Sequence, residues 1–340
     1  ENKIKKDNRT IYVTCMHEDN GGYKWIGTET GELFYVSSFN KNIEEIKSIP
    51  PIRNINFSYV DSLNHWWIAD NDWKFNYSEI IYDQEIIFLC HWDEKNNLWT
   101  RYFQKEYPHI LSKDINDIYR NGNFLYIATT HGLLIFDIIN EKWELIDVSN
   151  ALSNNHIYKL DPKGNILYLS TLKGISSLSM EINQIIPNHF YDIKHLNVYD
   201  MLILKNKYYV LSDVGLLLFN NDRSQVISNK KFKNIELYNG EIILSERDNI
   251  YKLIEDKKID ILLQYHNIQN FDICGNHIWM HNKNSAMIYN LNNNYKLKYD
   301  ASDGILGNII YNVECNENWV WFNTNNGLSF YNWKQFHNEK

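Results

Sequence analysis

A short motif recurs along this chain, and that repetition constrains the fold more than any other feature of the sequence. Each copy is a run rich in aromatic and aliphatic residues, a short polar turn that commonly ends in Gly, and a second such run. The clear copies are Lys24–Thr28 with Gly31–Tyr35, Leu125–Thr129 with Gly132–Asp137, and Val320–Thr324 with Gly327–Asn332. Weaker copies contain His65–Asp70, Leu167–Thr171, Tyr209–Asp213, Ile242–Glu246 and Ile278–Asn282. Aromatic and β-branched residues favour strands, so each copy predicts a β-hairpin.

The residues around each copy extend the hairpin to four strands. A third run, closed by a Gly-containing turn, precedes each pair, as in Ile118–Arg120 before Asn121–Asn123. A fourth run follows, as in Trp143–Ile146. A repeat spacing of roughly 35 to 60 residues is in or near the range of propeller blades, whose faces are buried only by packing on neighbouring blades. The sequence therefore predicts an all-β chain, a single β-propeller domain over residues 1–340, with about eight four-stranded blades. Seven blades are the alternative, because the copies at Ile242 and Ile278 match the motif poorly.

The two ends of the chain suggest how such a ring would close. The last copy has three predicted strands and then only a short tail, Lys334–Lys340. The segment Lys3–Arg9 precedes the first copy. We therefore expect this N-terminal segment to supply the outer strand of the last blade, so that the ring is closed by the N- and C-terminal segments.

The motif also carries a family resemblance. Trp25-Ile26-Gly27-Thr28 with its following hairpin, and Trp321–Asn332, resemble the two-component-regulator propeller repeat; Asp303–Asn308 resembles the lead-in of that repeat. The resemblance implies a sensor-type bacterial propeller, found in hybrid sensor kinases and cell-envelope proteins, that binds ligands and has no catalytic residues of its own. It implies a periplasmic or cell-surface location, with a cytoplasmic one left open. The immunoglobulin-like domain, membrane helix and kinase of such sensors are not found in this sequence.

Composition and motifs exclude several classes of function. The formal net charge is −8 and no basic stripe occurs, which argues against nucleic-acid binding. No apolar run is long enough to span a bilayer, so direct membrane insertion is not expected. The 12 His residues and the acidic residues show no metal-ligand spacing. No nucleotide or nucleophile motif occurs either, so no cofactor, metal or catalytic residue is predicted.

Three of the four cysteines are predicted on inner strands, in one structural position: Cys15, Cys274 and Cys315. Small buried hydrophobic residues are the simplest interpretation. A disulfide between neighbouring blades is the alternative.

The loops of a propeller give the predicted binding site. Connections from the second to the third strand of a blade gather at one face with the connections between blades, and functional residues are common on such loops. In blade two this loop is expanded over residues 71–84 and contains Trp73, Phe75 and Tyr77. The other candidates lie on shorter turns and on the connections between blades; they are His109, His131, Lys173, Tyr191, Arg247 and Lys283. We expect them to bind a protein partner or a small polar ligand, either a glycan or a peptide.

Three functions fit these predictions. The first is a non-catalytic binding, sensing or protein-docking propeller of a bacterial cell-envelope or signalling system. The second is a propeller-type polysaccharide lyase or hydrolase with His, Tyr or Arg at the mouth of the ring. The third is a purely structural subunit of a larger assembly.

Overall fold

In a computed structural model, the described part of the chain folds into 32 β-strands that form eight antiparallel sheets, with very little helix. The structure describes residues 3–6, 9–18, 22–29, 33–36, 43–46, 52, 54–55, 57–70, 87–93, 98–103, 114–220, 223–254 and 258–337. No helix in these ranges is long and apolar enough to cross a membrane. The chain divides into two compact units, Glu1–Glu106 with Asn325–Gly327, and Tyr107–Thr324 with Leu328–Lys340.

The first unit contains sheets 1 and 2. Sheet 1 is formed by β1 Lys3–Lys6, β2 Arg9–Glu18, β3 Lys24–Thr28, β4 Leu33–Val36 and β5 Ile43–Ile46. Sheet 2 is formed by β6 Phe57–Val60, β7 Trp66–Ala69, β8 Ile87–Asp93 and β9 Leu98–Phe103. Ile11, Ile26 and Phe34 pack together in sheet 1. In sheet 2 the buried Trp67 ring stacks on His91 at 4.1 Å between ring centroids.

The second unit contains six sheets of the repeated kind. Sheet 3 is formed by β10 Ile115–Asn121, β11 Phe124–Thr129, β12 Gly132–Asp137 and β13 Lys142–Ile146. Sheet 4 is formed by β14 Ile157–Lys163, β15 Ile166–Thr171, β16 Gly174–Ser179 and β17 Gln184–Ile186. Sheet 5 is formed by β18 Val198–Leu204, β19 Lys207–Ser212, β20 Gly215–Asn220 and β21 Arg223–Ser228. Sheet 6 is formed by β22 Asn234–Tyr238, β23 Glu241–Ser245, β24 Asn249–Ile254 and β25 Lys258–Gln264. Sheet 7 is formed by β26 Asn270–Cys274, β27 His277–His281, β28 Ala286–Asn290 and β29 Lys296–Tyr299. Sheet 8 is formed by β30 Ile310–Cys315, β31 Val320–Thr324 and β32 Gly327–Tyr331. The single α-helix of the described residues is α1, Trp333–Phe336.

Neighbouring sheets of this unit share apolar cores. Separate clusters join sheets 3 and 4, 4 and 5, 5 and 6, 6 and 7, and 7 and 8. The first strands of consecutive sheets contact one another, so they lie innermost. Face-to-face packing of successive four-stranded antiparallel sheets with their first strands inside is the propeller fold. The fold-class prediction is therefore confirmed, and the poorly matching copies at Ile242 and Ile278 form complete sheets.

The repeated motif has a direct structural cause. Thr129, at the end of the second strand, donates its hydroxyl to the carbonyl of Gly132 at 2.8 Å, and Thr171 does the same to Gly174 at 2.9 Å. Gly132 and Gly174 have φ values of 130° and 77°, which residues with a side chain rarely adopt. The motif thus specifies a tight turn that begins the third strand.

Two strand assignments differ from the prediction. The N-terminal strand β1 pairs with β2, with Lys3 opposite Tyr12, and so makes sheet 1 five-stranded. The last sheet has three described strands. Pairing with β2 is favoured because only two residues separate the strands, and closing a short loop costs little entropy. The described strand of this segment, β1, is therefore part of sheet 1, and closure of the ring by the terminal segments stays a prediction.

Most aromatic side chains of the second strands are core residues. Tyr126 and Trp279 are fully buried and Trp321 is 4% exposed, whereas Trp25 is half-buried. The cysteine prediction is corrected in one respect. Cys15 lies within β2, opposite Gly27, whereas Cys274 and Cys315 are the last residues of β26 and β30. The three cysteines therefore do not share one structural position.

Candidate functional site

Five of the nine residues predicted to bind a ligand lie within the described residues. Trp73, Phe75, Tyr77 and His109 lie outside them. The structure places His131, Lys173, Arg247 and Lys283 on exposed turns between the second and third strands of their sheets. Tyr191, 70% exposed, lies in the 3-10 helix Tyr191–Ile193 between sheets 4 and 5.

Backbone hydrogen bonds join these turns to the connections that follow each sheet. The amide of Gly174 donates to Leu196 O at 2.7 Å, that of Ile268 to Arg247 O at 2.6 Å, and that of Ile310 to Lys283 O at 2.8 Å. The turns and the connections therefore lie at the same edge of each sheet, and their side chains remain exposed.

The predicted residues do not form one cluster. In the part of the chain that the structure describes, no hydrogen bond, ion pair or ring contact joins any two of His131, Lys173, Tyr191, Arg247 and Lys283. His131 lies near His156, and Arg247 lies near Asp248. The role of the five residues in ligand binding stays a prediction.

A set of charged residues on the inner strands was not identified from the sequence. We call it the axial cluster. Its members are Asp117 on β10, Lys159 and Asp161 on β14, Asp200 on β18, Glu236 on β22 and Asp272 on β26. All six residues lie in the second unit.

A β-bulge sets the position of three members. In β10 the register moves from Ile115 opposite Thr129 to Asp117 opposite Ala128, which leaves one residue unpaired. Equivalent bulges precede Lys159 in β14 and Asp200 in β18. A bulge re-aims the side chain that follows it, so these charged groups occupy the same level of three adjacent inner strands.

Each carboxylate at this level connects neighbouring inner strands. Asp117 Oδ2 accepts a hydrogen bond from the Leu160 amide at 2.9 Å and lies 3.8 Å from Lys159 Nζ. Asp200 accepts from its neighbour Met201 at 2.8 Å and from the Ile235 amide of sheet 6. The inner strands are therefore joined through side chains as well as by packing.

Asp272 makes the same kind of bridge between sheets 7 and 8. Its Oδ2 accepts from the Cys315 amide at 2.8 Å, and its Oδ1 accepts from Ile273 at 2.7 Å. Beside it, Cys274 and Cys315 form a disulfide that also joins sheets 7 and 8. The disulfide between neighbouring blades, left open as an alternative from the sequence, is thus the observed arrangement.

The axial cluster has an unusual electrostatic environment. Burial raises the pKa of Asp272 to about 6 and that of Glu236 to about 8, with Asp272 adding to the effect on Glu236. Burial also raises the pKa values of Asp117, Asp161 and Asp200. The Asp117 carboxylate raises the pKa of the Lys159 ammonium. Carboxyl groups in this setting bind protons more readily than exposed ones, because desolvation penalises the charged form.

The cluster is nevertheless reached by water. Lys159 interacts electrostatically with carboxyl groups of four other inner strands, yet its side chain is 43% exposed and that of Asp117 is 18% exposed. These two side chains therefore remain in contact with solvent. Partly exposed ionisable groups with shifted pKa values are common at functional sites.

Aromatic residues lie next to two members of the cluster in the sequence. Tyr158 and Tyr199 directly precede Lys159 and Asp200, and their ring centroids are 5.4 Å apart in an edge-to-face arrangement. The His156 ring lies 4.4 Å from Tyr158. Burial lowers the pKa of His156, which favours its neutral form. This edge-to-face pair, with His156, forms what we call the aromatic rim.

The sequence contained a signal for the axial cluster. In each of these predicted inner strands a charged residue lies within an apolar run, as in Val198-Tyr199-Asp200-Met201 and Phe271-Asp272-Ile273. A charge inside an otherwise buried strand indicates a face that is not core. The bulges hide the pattern, because each one shifts the alternation of side chains by one residue.

Comparison with known proteins identifies the fold. No family model matches the sequence. No curated protein sequence shows a significant match. Among solved structures, PorZ, a surface component of the type-IX secretion system of Porphyromonas gingivalis, superposes with a TM-score of 0.60 and 13% identity, covering 82% of this chain and 37% of PorZ.

Two further structures are similar. The extracellular domain of the putative hybrid two-component system BT4673 from B. thetaiotaomicron gives a TM-score of 0.60 at 13% identity, with 96% of this chain and 59% of that chain covered. YCF48, in a structure bound to D1 peptide, gives 0.56 at 11% identity, with 82% and 91% covered. The chain spans less than two thirds of PorZ and of the BT4673 domain. At these identities the likenesses establish the fold, in agreement with the sheets and their order.

Proposed function

We propose that this chain is a non-catalytic binding propeller of a bacterial sensor or cell-envelope system, related to the two-component-regulator propellers, that holds a polar ligand or a segment of a partner protein at the axial cluster. The observation that carries the proposal is the set of six charged residues on five neighbouring inner strands, of which Lys159 and Asp117 remain partly exposed. Three of the carboxylates join neighbouring strands, but bringing like charges together and partly desolvating them is costly. A bound polar ligand would offset that cost.

Two observations support an extracytoplasmic setting. The BT4673 structure is of an extracellular domain, and PorZ is a surface component. The disulfide between Cys274 and Cys315 is of the kind that persists in oxidising compartments. These observations support the proposal that the chain acts in the periplasm or at the cell surface.

The test is a thermal-shift screen of the whole chain against panels of glycans and peptides. We expect at least one ligand to raise the melting temperature of the wild type and not that of an Asp200→Asn/Glu236→Gln double variant. Asp260→Asn is the control, since Asp260 carries the same charge on the outer strand β25. A ligand shift that persists in the double variant would place binding elsewhere, with the predicted turn residues as the next candidates. No shift from either panel would favour the purely structural subunit.

A second candidate, a polysaccharide lyase or hydrolase, is favoured by one observation. Asp272 and Glu236, with pKa values of about 6 and about 8, would offer a base and an acid near neutral pH. The two proposals are separated by incubating the chain with polysaccharides and measuring product release. Cleavage that Glu236→Gln abolishes would establish the enzyme, whereas binding without cleavage supports the non-catalytic propeller.

A further inference from the structure

The charges of the axial cluster are not balanced within it. The cluster contains five carboxyl groups and one ammonium group, that of Lys159. Lys159 Nζ lies nearest Asp117, at 3.8 Å, and the other four carboxyl groups have no lysine or arginine within ion-pair distance among the described residues. A ligand that supplied positive charge would offset this imbalance, and one that supplied negative charge would increase it.

One carboxyl oxygen of the cluster also lacks a hydrogen-bond donor. Asp161 Oδ2 is buried and has no hydrogen-bond partner among the described residues. Asp161 is two residues from Lys159 on the same strand and interacts most strongly with Asp200, which carries the same charge. A buried acceptor without a donor is unfavourable, so an incoming N–H group would be stabilised there. This observation is independent of the charge balance and points to the same kind of ligand.

The spacing of the carboxyl groups argues against a compact metal ion. In the described part of the chain, the one group of three His, Cys, Asp or Glu ligand atoms within 4.8 Å of one another is that of Asp272, Cys274 and Cys315. Two of these three are joined in the disulfide and cannot coordinate a metal as thiolates. Calcium and magnesium need several oxygen atoms converging on one point. The carboxyl groups are instead distributed over five neighbouring inner strands.

The aromatic rim suits an organic cation. Tyr158 and Tyr199 lie in sequence beside Lys159 and Asp200, and tyrosine rings attract ammonium groups that approach their faces. A metal ion with its hydration shell gains less from such rings than an alkylammonium group does.

We propose that the axial cluster binds an extended organic cation with primary ammonium groups, and that Asp161 accepts a hydrogen bond from it. This inference rests on the proposed function, since it names the ligand class of the same site. The ammonium group is common to a free polyamine and to a lysine side chain of a partner polypeptide. The aromatic rim contacts the alkyl part of the ligand. Asp200 contributes charge, and Glu236 does so once the bound cation lowers its raised pKa.

The experiment is isothermal titration of the full chain at pH 7 and low salt with spermidine, a lysine-rich peptide and calcium. We expect one of the two ammonium probes to bind, with an affinity that falls as salt is added. We also expect protons to be released on binding, because a nearby cation lowers the raised pKa values of the carboxyl groups. Titration in two buffers of different ionisation enthalpy measures this release. Tighter binding of spermidine than of the peptide indicates a free amine, and the reverse order indicates a partner segment.

Variants make the assignment specific. Asp161→Asn should weaken binding of the ammonium probe at least tenfold, and Asp260→Asn should leave it within twofold. If Asp161→Asn does not fold, salt dependence and proton release in the wild type still test the proposal. Equal weakening by both variants would mean non-specific attraction and would overturn it. Calcium binding that Asp161→Asn abolishes, with no binding of either ammonium probe, would also overturn it.

Failure of this inference is distinguishable from failure of the proposed function. If neither ammonium probe binds at millimolar concentration but a glycan does, and the Asp200→Asn/Glu236→Gln variant loses that glycan, the site is correct and its ligand class is wrong. If no probe of any kind binds, both proposals fail.

Discussion

At the residue scale, Glu236 links the site to the stability of the fold. Its pKa is about 8 in the folded chain, against an ordinary value of 4.5, because it is buried near Asp272 and Asp200. A carboxyl group whose pKa is raised by folding stabilises the folded state while it is protonated. That stabilisation is fully present below about pH 4.5 and is lost as the pH rises through about 8.

We therefore expect Glu236→Gln to be more stable than the wild type at pH 8.5, by on the order of 2 kcal/mol, and to differ little at pH 4.5. Urea unfolding at both pH values measures the effect. Glu317→Gln is the matched control, because Glu317 lies on an exposed turn of sheet 8. A wild type and a Glu236→Gln variant with parallel pH profiles would contradict the shifted pKa.

His281 should give stability the opposite dependence on pH. It is fully buried at the end of β27, and burial lowers its pKa to about 4 from 6.5. The neutral form is required for folding, so stability should fall as the pH decreases from about 6.5 towards 4. His281→Gln should flatten this part of the pH profile, whereas replacing the exposed His195 with Gln should leave it unchanged. Acid sensitivity that persists in His281→Gln would assign it to another group.

At the scale of the strand and turn, the repeated glycine is the clearest case. Gly215 begins β20 with a φ of 118°, and a Cβ atom there would overlap with Ser228 O on the neighbouring backbone. Gly164, in the turn after β14, has a φ of 58° and no atom within 4 Å of its ideal Cβ position. Only Gly215 is therefore required for steric reasons, and both glycines relieve backbone strain.

Alanine substitutions at these two glycines provide a matched pair. We expect Gly164→Ala to cost about 1 kcal/mol, from the positive φ alone. Gly215→Ala should cost roughly 3 kcal/mol or more, because the outer strand must move. Chemical denaturation compares the two free energies of unfolding. Equal losses would show that the close approach of β20 to Ser228 is not important for stability.

At the scale of the whole chain, the sequence predicts the sheets but does not reveal the axial cluster. The Thr–Gly turn is visible in the motif because it depends on residues close in sequence, such as Thr129 and Gly132. The axial cluster depends on inner strands that lie about 40 residues apart in the chain, such as those of Asp117 and Lys159, and on bulges that change which face each residue occupies. Local sequence patterns specify neither the pairing of distant strands nor the bulges. The sequence therefore points to the loop residues and not to the inner strands.

The disulfide also joins two residues that are far apart in the sequence. Cys274 and Cys315 are 41 residues apart and join the inner strands of sheets 7 and 8. In the chain-entropy model, a loop of this length constrains the unfolded chain by about 4 kcal/mol. A Cys274→Ser/Cys315→Ser variant should therefore melt several degrees lower than the oxidised wild type, and reductant should lower the wild type to the same temperature. Reductant should not affect the double variant, although Cys15 and Cys90 remain as free thiols. If reductant lowers both proteins equally, the effect does not come from this bond; if it lowers neither, the crosslink between sheets 7 and 8 contributes nothing to stability.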